Sequence, residues 1–330
     1  MAALNHSPLF GARGSDVAHD RALAVSARDL IELAGAAAVL QPLHTLSARA
    51  RRAGGHLSAV RGRGMDYEES RAYQAGDDIR AMDWRVTARA GEPHTKVFRE
   101  ERERPVVVCV DLGPGMFFAS RGALKAVQAV RAAALFGWAA VAGGDRIGAL
   151  LFNRGHHELP PRAGRPGILR LIRELVMHSE PRAGLAGTLD PAALNGALLR
   201  LRRLVRPGSL VILVGDFYGL DRDSVQHLLY LRRHSDVLAV QVLDRLESAA
   251  PPAARYGLTN GRERYDLDTG PRSNRARYEH ALAEHHAAVE RMLQRCGIAL
   301  LRLSTEDAVA QSLTAQLNHA PRPGRRARAA

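Results

Sequence analysis

Two apolar runs in this 330-residue chain each end in a single carboxylate: Pro105 to Asp111 reads PVVVCVD, and Ser209 to Phe217 reads SLVILVGDF. Continuous apolar runs of this length predict strands buried on both faces of a parallel sheet. In such sheets ligands bind beyond the carboxyl ends of the strands, so Asp111 and Asp216 stand where chemistry can occur. Between them in sequence lies a glycine-flanked loop, Gly184 to Asp190, carrying Thr188. Two strand-end carboxylates and a loop hydroxyl are oxygen donors suited to a hard dication, Mg²⁺ or Mn²⁺. The alternative role for both aspartates is structural, each accepting hydrogen bonds from amides of its own loop.

A second concentration of acids lies at Met65 to Pro105, with Asp77, Asp78 and Asp83 among Arg71, Arg80, Arg85 and Arg89. These acids form either a metal or catalytic cluster or a network of arginine–carboxylate pairs that fixes a loop. The arginines at hand favour the network. Trp84 reads as a packing anchor. The chain has no Walker-type phosphate loop, no G-x-S-x-G nucleophile elbow, and no cysteine or histidine set at metal spacing. His156-His157 and His285-His286 are adjacent pairs whose members point in different directions, which assigns them to surfaces or loops. Cys109 and Cys296, the only cysteines, read as buried thiols of a reducing cytoplasm.

The elements that must position these residues follow from the pattern. With 46% apolar residues the chain can fill a core, and no apolar stretch approaches the roughly 20 residues a membrane span requires. Residues 1–24 read as a loose leader. Ser26 and Asp29 form a capping signal for a helix bearing Leu30, Ile31, Leu33, Ala34 and Ala37, and Arg49 to Gly64 is an arginine- and glycine-rich loop. His94 to Arg104 alternates as a strand running up to the central strand. Helices are predicted at Arg121 to Val141, Gly167 to His178, Pro191 to Val205 with Asp190 as cap, Asp221 to Arg233, Asn274 to Arg295 and Glu306 to Leu317. Strands are predicted at Arg146 to Phe152, Asp236 to Leu243 and Ile298 to Leu303, with a hairpin around Asn260-Gly261 and a disordered basic tail over 319–330. Strands alternating with helices predict an α/β, doubly wound, mostly parallel sheet over 105–318, preceded at 25–104 by an N-terminal helix and an irregular polar segment.

The net charge of +13 is concentrated in the tail and in 161–210, where nine arginines meet three acids. Such a basic segment can recruit nucleic acid or an acidic protein. The last helix turn before Pro207-Gly208 accounts for part of it, because cations there oppose the helix dipole.

The stretch Gly64 to Arg89, GMDYEESRAYQAGDDIRAMDWRVTAR, resembles the signature of the bacterial domain of unknown function 58 family, and the chain as a whole resembles the von Willebrand factor A fold. Arg71, Tyr73, Gly76, Asp77, Asp78, Arg80, Asp83 and Trp84 carry the signature and are expected to be structural. Lys96, Phe98, Glu101, Lys125 and Gly144 to Gly148 continue the likeness. The resemblance implies a metal-ion-dependent adhesion site built from Asp-x-Ser-x-Ser, a distant Thr and a distant Asp, matched here by Asp111, Thr188 and Asp216. Both serine positions are glycines, Gly113 and Gly115, so two direct ligands are missing and Mg²⁺ or Mn²⁺ would bind weakly. Gly113, Gly115 and Met116 are then expected to face a partner. The resemblance further implies a soluble, cytoplasmic, non-enzymatic interaction module working with a MoxR-type AAA+ ATPase in protein or complex maturation. The competing readings are a metal-dependent hydrolase using Asp111, Asp216 and the acids at 77, 78 and 83, and a nucleic-acid binder using 161–210.

Overall fold

The computed structural model describes residues 21–37, 40, 65–74, 77–100, 103–153, 155–259 and 264–319. The leader up to residue 20, the 49–64 loop, Gly76, Glu101, the turn at Asn260-Gly261 and the basic tail from 320 lie outside them. Helix α1 (Ala27–Glu32) begins as its sequence predicts. The Ser26 hydroxyl accepts from the Asp29 amide at 3.2 Å, and the Asp29 carboxylate accepts from the Ser26 amide at 3.0 Å. A short α2 (Ala34–Ala37) follows. The polar segment is more regular than expected: β1 (Met65–Ala72) pairs antiparallel with β2 (His94–Glu100), and α3 (Trp84–Ala90) lies between them in the chain. These two strands form a sheet of their own.

The remaining elements in chain order are β3 (Pro105–Asp111), α4 (Lys125–Ala142), β4 (Arg146–Phe152), β5 (His156–Ala163), α5 (Gly164–His178), α6 (Pro181–Leu185), α7 (Ala193–Leu204), β6 (Leu210–Gly215), α8 (Arg222–His234), β7 (Asp236–Leu243), β8 (Arg255–Thr259), β9 (Arg264–Asp268), α9 (Arg272–Arg295), β10 (Ala299–Ser304) and α10 (Val309–His319). Six strands form the central sheet in the order β10-β7-β6-β3-β4-β5, parallel except for β5. This is the doubly wound α/β sheet that the alternation predicts. Strand β5 was unforeseen because Pro160 and Pro161 lie within it; an edge strand tolerates them since its outer side has no partner to bond. Its register shifts opposite Ile147 to Ala149, where a Cβ on Gly148 would fall 2.6 Å from the Leu159 carbonyl oxygen.

Alternation along β3 feeds two cores. Val106, Val108 and Val110 join α4, α5 and α10 on one face, while Val107 and Cys109 join α7, α8 and α9 on the other. Helix α4 is alanine-rich and buried nearly all round, pressed between the sheet and α1, α2 and α5. It starts at Lys125 and not at Arg121. Gly122 adopts φ +71° against the Thr305 carbonyl, and the Ala123 and Leu124 amides donate to Thr305 and Ala22. Asp190 does not cap α7; it accepts from the Ala192 amide in the turn before it, and Ala192 holds the cap position. Both cysteines are free and buried, and burial pushes the Cys109 thiol far above its ordinary range.

At the opposite end of the sheet from Asp111, the buried Arg104 side chain donates to the Gly208 carbonyl (2.9 Å), the Ser209 carbonyl (3.1 Å) and the Asp236 carboxylate (2.6 Å). One guanidinium thereby fastens the starts of β3, β6 and β7. Replacing it with leucine removes a donor from each of the three acceptors, although the Asp236 carboxylate keeps Arg232 and the Ser209 carbonyl keeps the Asp236 amide, and the loss is expected to cost about 1–3 kcal/mol in urea denaturation. Arg104→Lys should recover less than half of that, because an ammonium lacks the planar fork that reaches all three acceptors.

Candidate functional site at the carboxyl end of the sheet

From β3 the chain moves outward through β4 to β5, then returns to the other side of β3 as β6 and continues to β7 and β10. The order therefore reverses between β3 and β6, and the crevice beyond their carboxyl ends is the place where such sheets take ligands. Asp111 and Asp216 flank it. Asp111 Oδ1 accepts from the Gly113 amide at 2.7 Å, and Asp216 Oδ1 accepts from the Tyr218 amide at 3.1 Å. Phe217, which links Asp216 to Tyr218, is the one described non-glycine residue at positive φ, +62°. A Cβ on Gly215 would come within 2.9 Å of Asp111 Cβ, so glycine is what lets the two strand ends approach. Cys109, Asp111, Phe152, Leu194, Leu213 and Phe217 line a small cavity beneath.

The centre of the site is a lysine. Lys125, the first residue of α4, is 2% exposed, and its ammonium donates to Asp216 Oδ2 at 3.1 Å and to Glu247 Oε1 at 2.6 Å. Glu247 is delivered by the 3-10 turn Arg245–Glu247 that follows β7. The other Glu247 oxygen accepts from the Asp244 amide at 2.8 Å, and the Asp244 carboxylate accepts from the Leu246 amide. Asp244 also accepts from the amide and hydroxyl of Ser120 and from the Thr305 hydroxyl, so three loops share one carboxylate. The Tyr218 ring lies 5.7 Å from the ammonium and stacks on His285 at 4.3 Å.

Charge is unequally distributed here. Burial alone would lower the Lys125 pKa, but Asp216 and Glu247 outweigh it and the net shift is upward, so the ammonium stays charged. Burial raises Glu247 despite the lysine beside it. Asp111 is pushed up to about 7, first by burial and then by the neighbouring Asp216 charge, against the Gly113 hydrogen bond and Lys125. Around this core the rim is apolar. Phe118, Leu185, Leu189 and Tyr218 are exposed, Leu189 Cδ2 lies over Gly115, and Gly184 packs on the Phe117 ring.

A family model described as protein of unknown function DUF58 matches residues 69–288. The chain belongs to the DUF58 family. Relatives include the uncharacterized proteins Rv1480 of Mycobacterium tuberculosis and Mb1516 of Mycobacterium bovis, each 32% identical over 258 residues that make up 77% of this chain and 78% of the relative. Among solved structures, BatB from Bacteroides thetaiotaomicron aligns with 65% of this chain and 97% of its own at 14% identity and a TM-score of 0.42. A von Willebrand factor type A protein from Catenulispora acidiphila aligns with 68% of this chain and 43% of its own at 12% identity and a TM-score of 0.35. Among the described residues no helix is long and apolar enough to cross a membrane.

In this DUF58 chain the two glycines of the Asp-x-Gly-x-Gly loop lie over the two carboxylates. A Cβ on Gly113 would be 3.0 Å from Asp111 Oδ1, and one on Gly115 would be 3.3 Å from Asp216 Oδ2. Thr188 is exposed, in the loop whose Gly187 packs on Pro114, and among the described residues its hydroxyl bonds neither aspartate. Met116, expected to face a partner, is 1% exposed: the turn Pro114–Met116 tucks it into the α4 core. In the signature segment Arg71 pairs with Asp77 at 2.7 Å, but Asp78 and Asp83 accept backbone amides at the starts of Ile79–Ala81 and α3. Asp83 also accepts from the Ser70 hydroxyl, the Tyr73 amide donates to Pro93, and Arg80 is exposed. Among the described residues the arginine network is thus one pair plus two caps. Trp84 is 67% exposed and no packing anchor, since α3 buries none of its residues.

The roles of Lys125 and Glu247 were missed from sequence. A lysine in an apolar helix start, aligned with a strand-end aspartate, was the available signal; nothing local marked Glu247, which arrives from 122 residues away. The adjacent histidines are also not confined to loops: His285 stacks on Tyr218, His286 meets the Glu247 carbonyl, and His157 lies on β5.

Lys125→Met leaves Asp216 and Glu247 buried without a countercharge and should destabilise the fold by about 3–5 kcal/mol in chemical denaturation. For Asp111 the folded pKa lies above the ordinary value of 3.8, so its contribution is full at low pH and lost as pH rises through about 7. Asp111→Asn should therefore match the parent near pH 4 and exceed it in urea midpoint at pH 8, by on the order of a few kcal/mol at most. A constant difference across that range would count against the raised pKa.

Proposed function

We propose that this DUF58 chain is a non-enzymatic, soluble, cytoplasmic adaptor, and that it docks another protein on the carboxyl-end face of the sheet without a metal bridge. The observation that carries this reading is the Lys125 ammonium held between Asp216 and Glu247. An internal cation already satisfies the carboxylate that an adhesion-type site would turn toward a dication. Gly113 and Gly115 supply no hydroxyl, and Thr188 bonds neither aspartate. The donor set does not fit the six oxygens that Mg²⁺ requires. What remains is a crevice with Asp111 at its centre and an apolar rim of Phe118, Leu185, Leu189 and Tyr218, the composition of an interface core. A basic side chain from a partner would hold Asp111 ionised.

The partner class is the MoxR-type AAA+ ATPase that the family resemblance implies. The purified chain, titrated calorimetrically with such an ATPase from the same organism, should bind equally well in Mg²⁺ and in excess EDTA if nucleotide is absent. Leu189→Asp should weaken binding by roughly tenfold or more. Affinity should also fall below about pH 7, where a proton competes for Asp111. Binding abolished by EDTA would overturn the metal-free site, and no binding to the ATPase would overturn the partner class.

A further inference from the structure

The edge strand and the helix that follows it bring together three side chains that sequence separation hides. His157 lies on β5 opposite Leu151 of β4, while Glu174 and His178 stand one turn apart on α5 and share a face. His157 Nε2 is 3.1 Å from Glu174 Oε2, His178 Nε2 is 3.8 Å from the same oxygen, and the two imidazoles have centroids 4.7 Å apart. One ligating atom from each residue fits within a 4.8 Å span, and among the described residues no other three histidine, cysteine or acidic groups do so.

Two of these atoms are left unexplained by packing. Glu174 Oε2 and His178 Nε2 are buried and, among the described residues, form no hydrogen bond: the imidazoles approach Oε2 at 3.1 and 3.8 Å without hydrogen-bond geometry. A buried polar atom without a partner costs about 1–3 kcal/mol, so such a pair facing one another points to something between them. The other Glu174 oxygen is fixed by Arg173, whose Nε and Nη2 donate at 3.0 and 2.6 Å, and this holds Oε2 toward the histidines.

We propose that His157, Glu174 and His178 form a Zn²⁺ site of two nitrogens and one carboxylate oxygen, with its fourth position open. Bonds of about 2.0–2.2 Å in a tetrahedron set ligand atoms roughly 3.3–3.5 Å apart, and the two observed approaches to Oε2 bracket that spacing. His157 is 41% exposed, so a small rotation closes the site and its outer side faces solvent, where water or an external donor atom would complete it. Imidazole donors favour zinc over Mg²⁺ or Ca²⁺. Once bound, the ion would rivet β5, the proline-bearing edge strand, to α5.

The test is titration of the full chain with Zn²⁺ against a competing chelator, with Co²⁺ absorption as a readout of tetrahedral geometry and thermal melting as a third. One equivalent should bind, with a tetrahedral Co²⁺ spectrum and a raised melting temperature reversed by EDTA. His157→Ala, at a half-exposed position that the fold tolerates, and Glu174→Gln, which keeps the side-chain shape, should each weaken binding by at least about tenfold. Asp111→Asn should leave it unchanged, which separates this site from the crevice. No zinc in the parent would overturn the proposal, and so would zinc retained at full affinity in both variants, because the ion would then lie elsewhere.

Discussion

The carboxyl end of the central sheet depends on one buried ammonium. Lys125 starts the central helix α4, and its Nζ joins that helix to the loop after β6 through Asp216 and to the turn after β7 through Glu247. Burying a charge costs several kcal/mol unless it is paired and hydrogen-bonded, and the cost is shared here by two acids, each itself held by a backbone amide. Each partner is fixed in turn: Glu247 by the box around Asp244, and Asp244 by Ser120 and Thr305. A change at the buried members of this chain of bonds, Lys125, Asp216, Asp244 and Thr305, is felt at the others, since they have little solvent to turn to.

That arrangement explains the unequal state of the two strand-end aspartates. Asp216 has its cation from within the protein. Asp111, beside the same crevice, is raised to about 7 by burial and then by the Asp216 charge, against the Gly113 hydrogen bond and a weaker field from Lys125, so its carboxyl titrates close to physiological pH. Gly113 and Gly115 lie over the two carboxylates and the Lys125 ammonium pairs with Asp216, so the countercharge of Asp216 comes from within the protein.

Much of the architecture was legible in local pattern. Apolar runs at 106–110 and 210–214 announced buried parallel strands, and the terminal carboxylates announced their ends, because a strand buried on both faces has no other place for a charge. Ser26 and Asp29 marked a helix start that the structure reproduces atom for atom. Strand β5 was illegible because its two prolines are acceptable only at a sheet edge, and edge position is a property of strand order. Trp84 and Met116 were misjudged for a related reason: residue type gives the preference for burial, but whether α3 meets a core and which way the 114–116 turn faces depends on what packs nearby.

The sequence by itself determined the fold class, the strand ends and the family, because each of these is carried by residue type or by a period of two or 3.6. Tertiary structure alone decided that Lys125 would meet Glu247 and that His157 would meet Glu174 and His178. These contacts join residues from different strands and helices, and only the order of strands in the sheet and the packing of helices on its faces bring their charges within bonding distance.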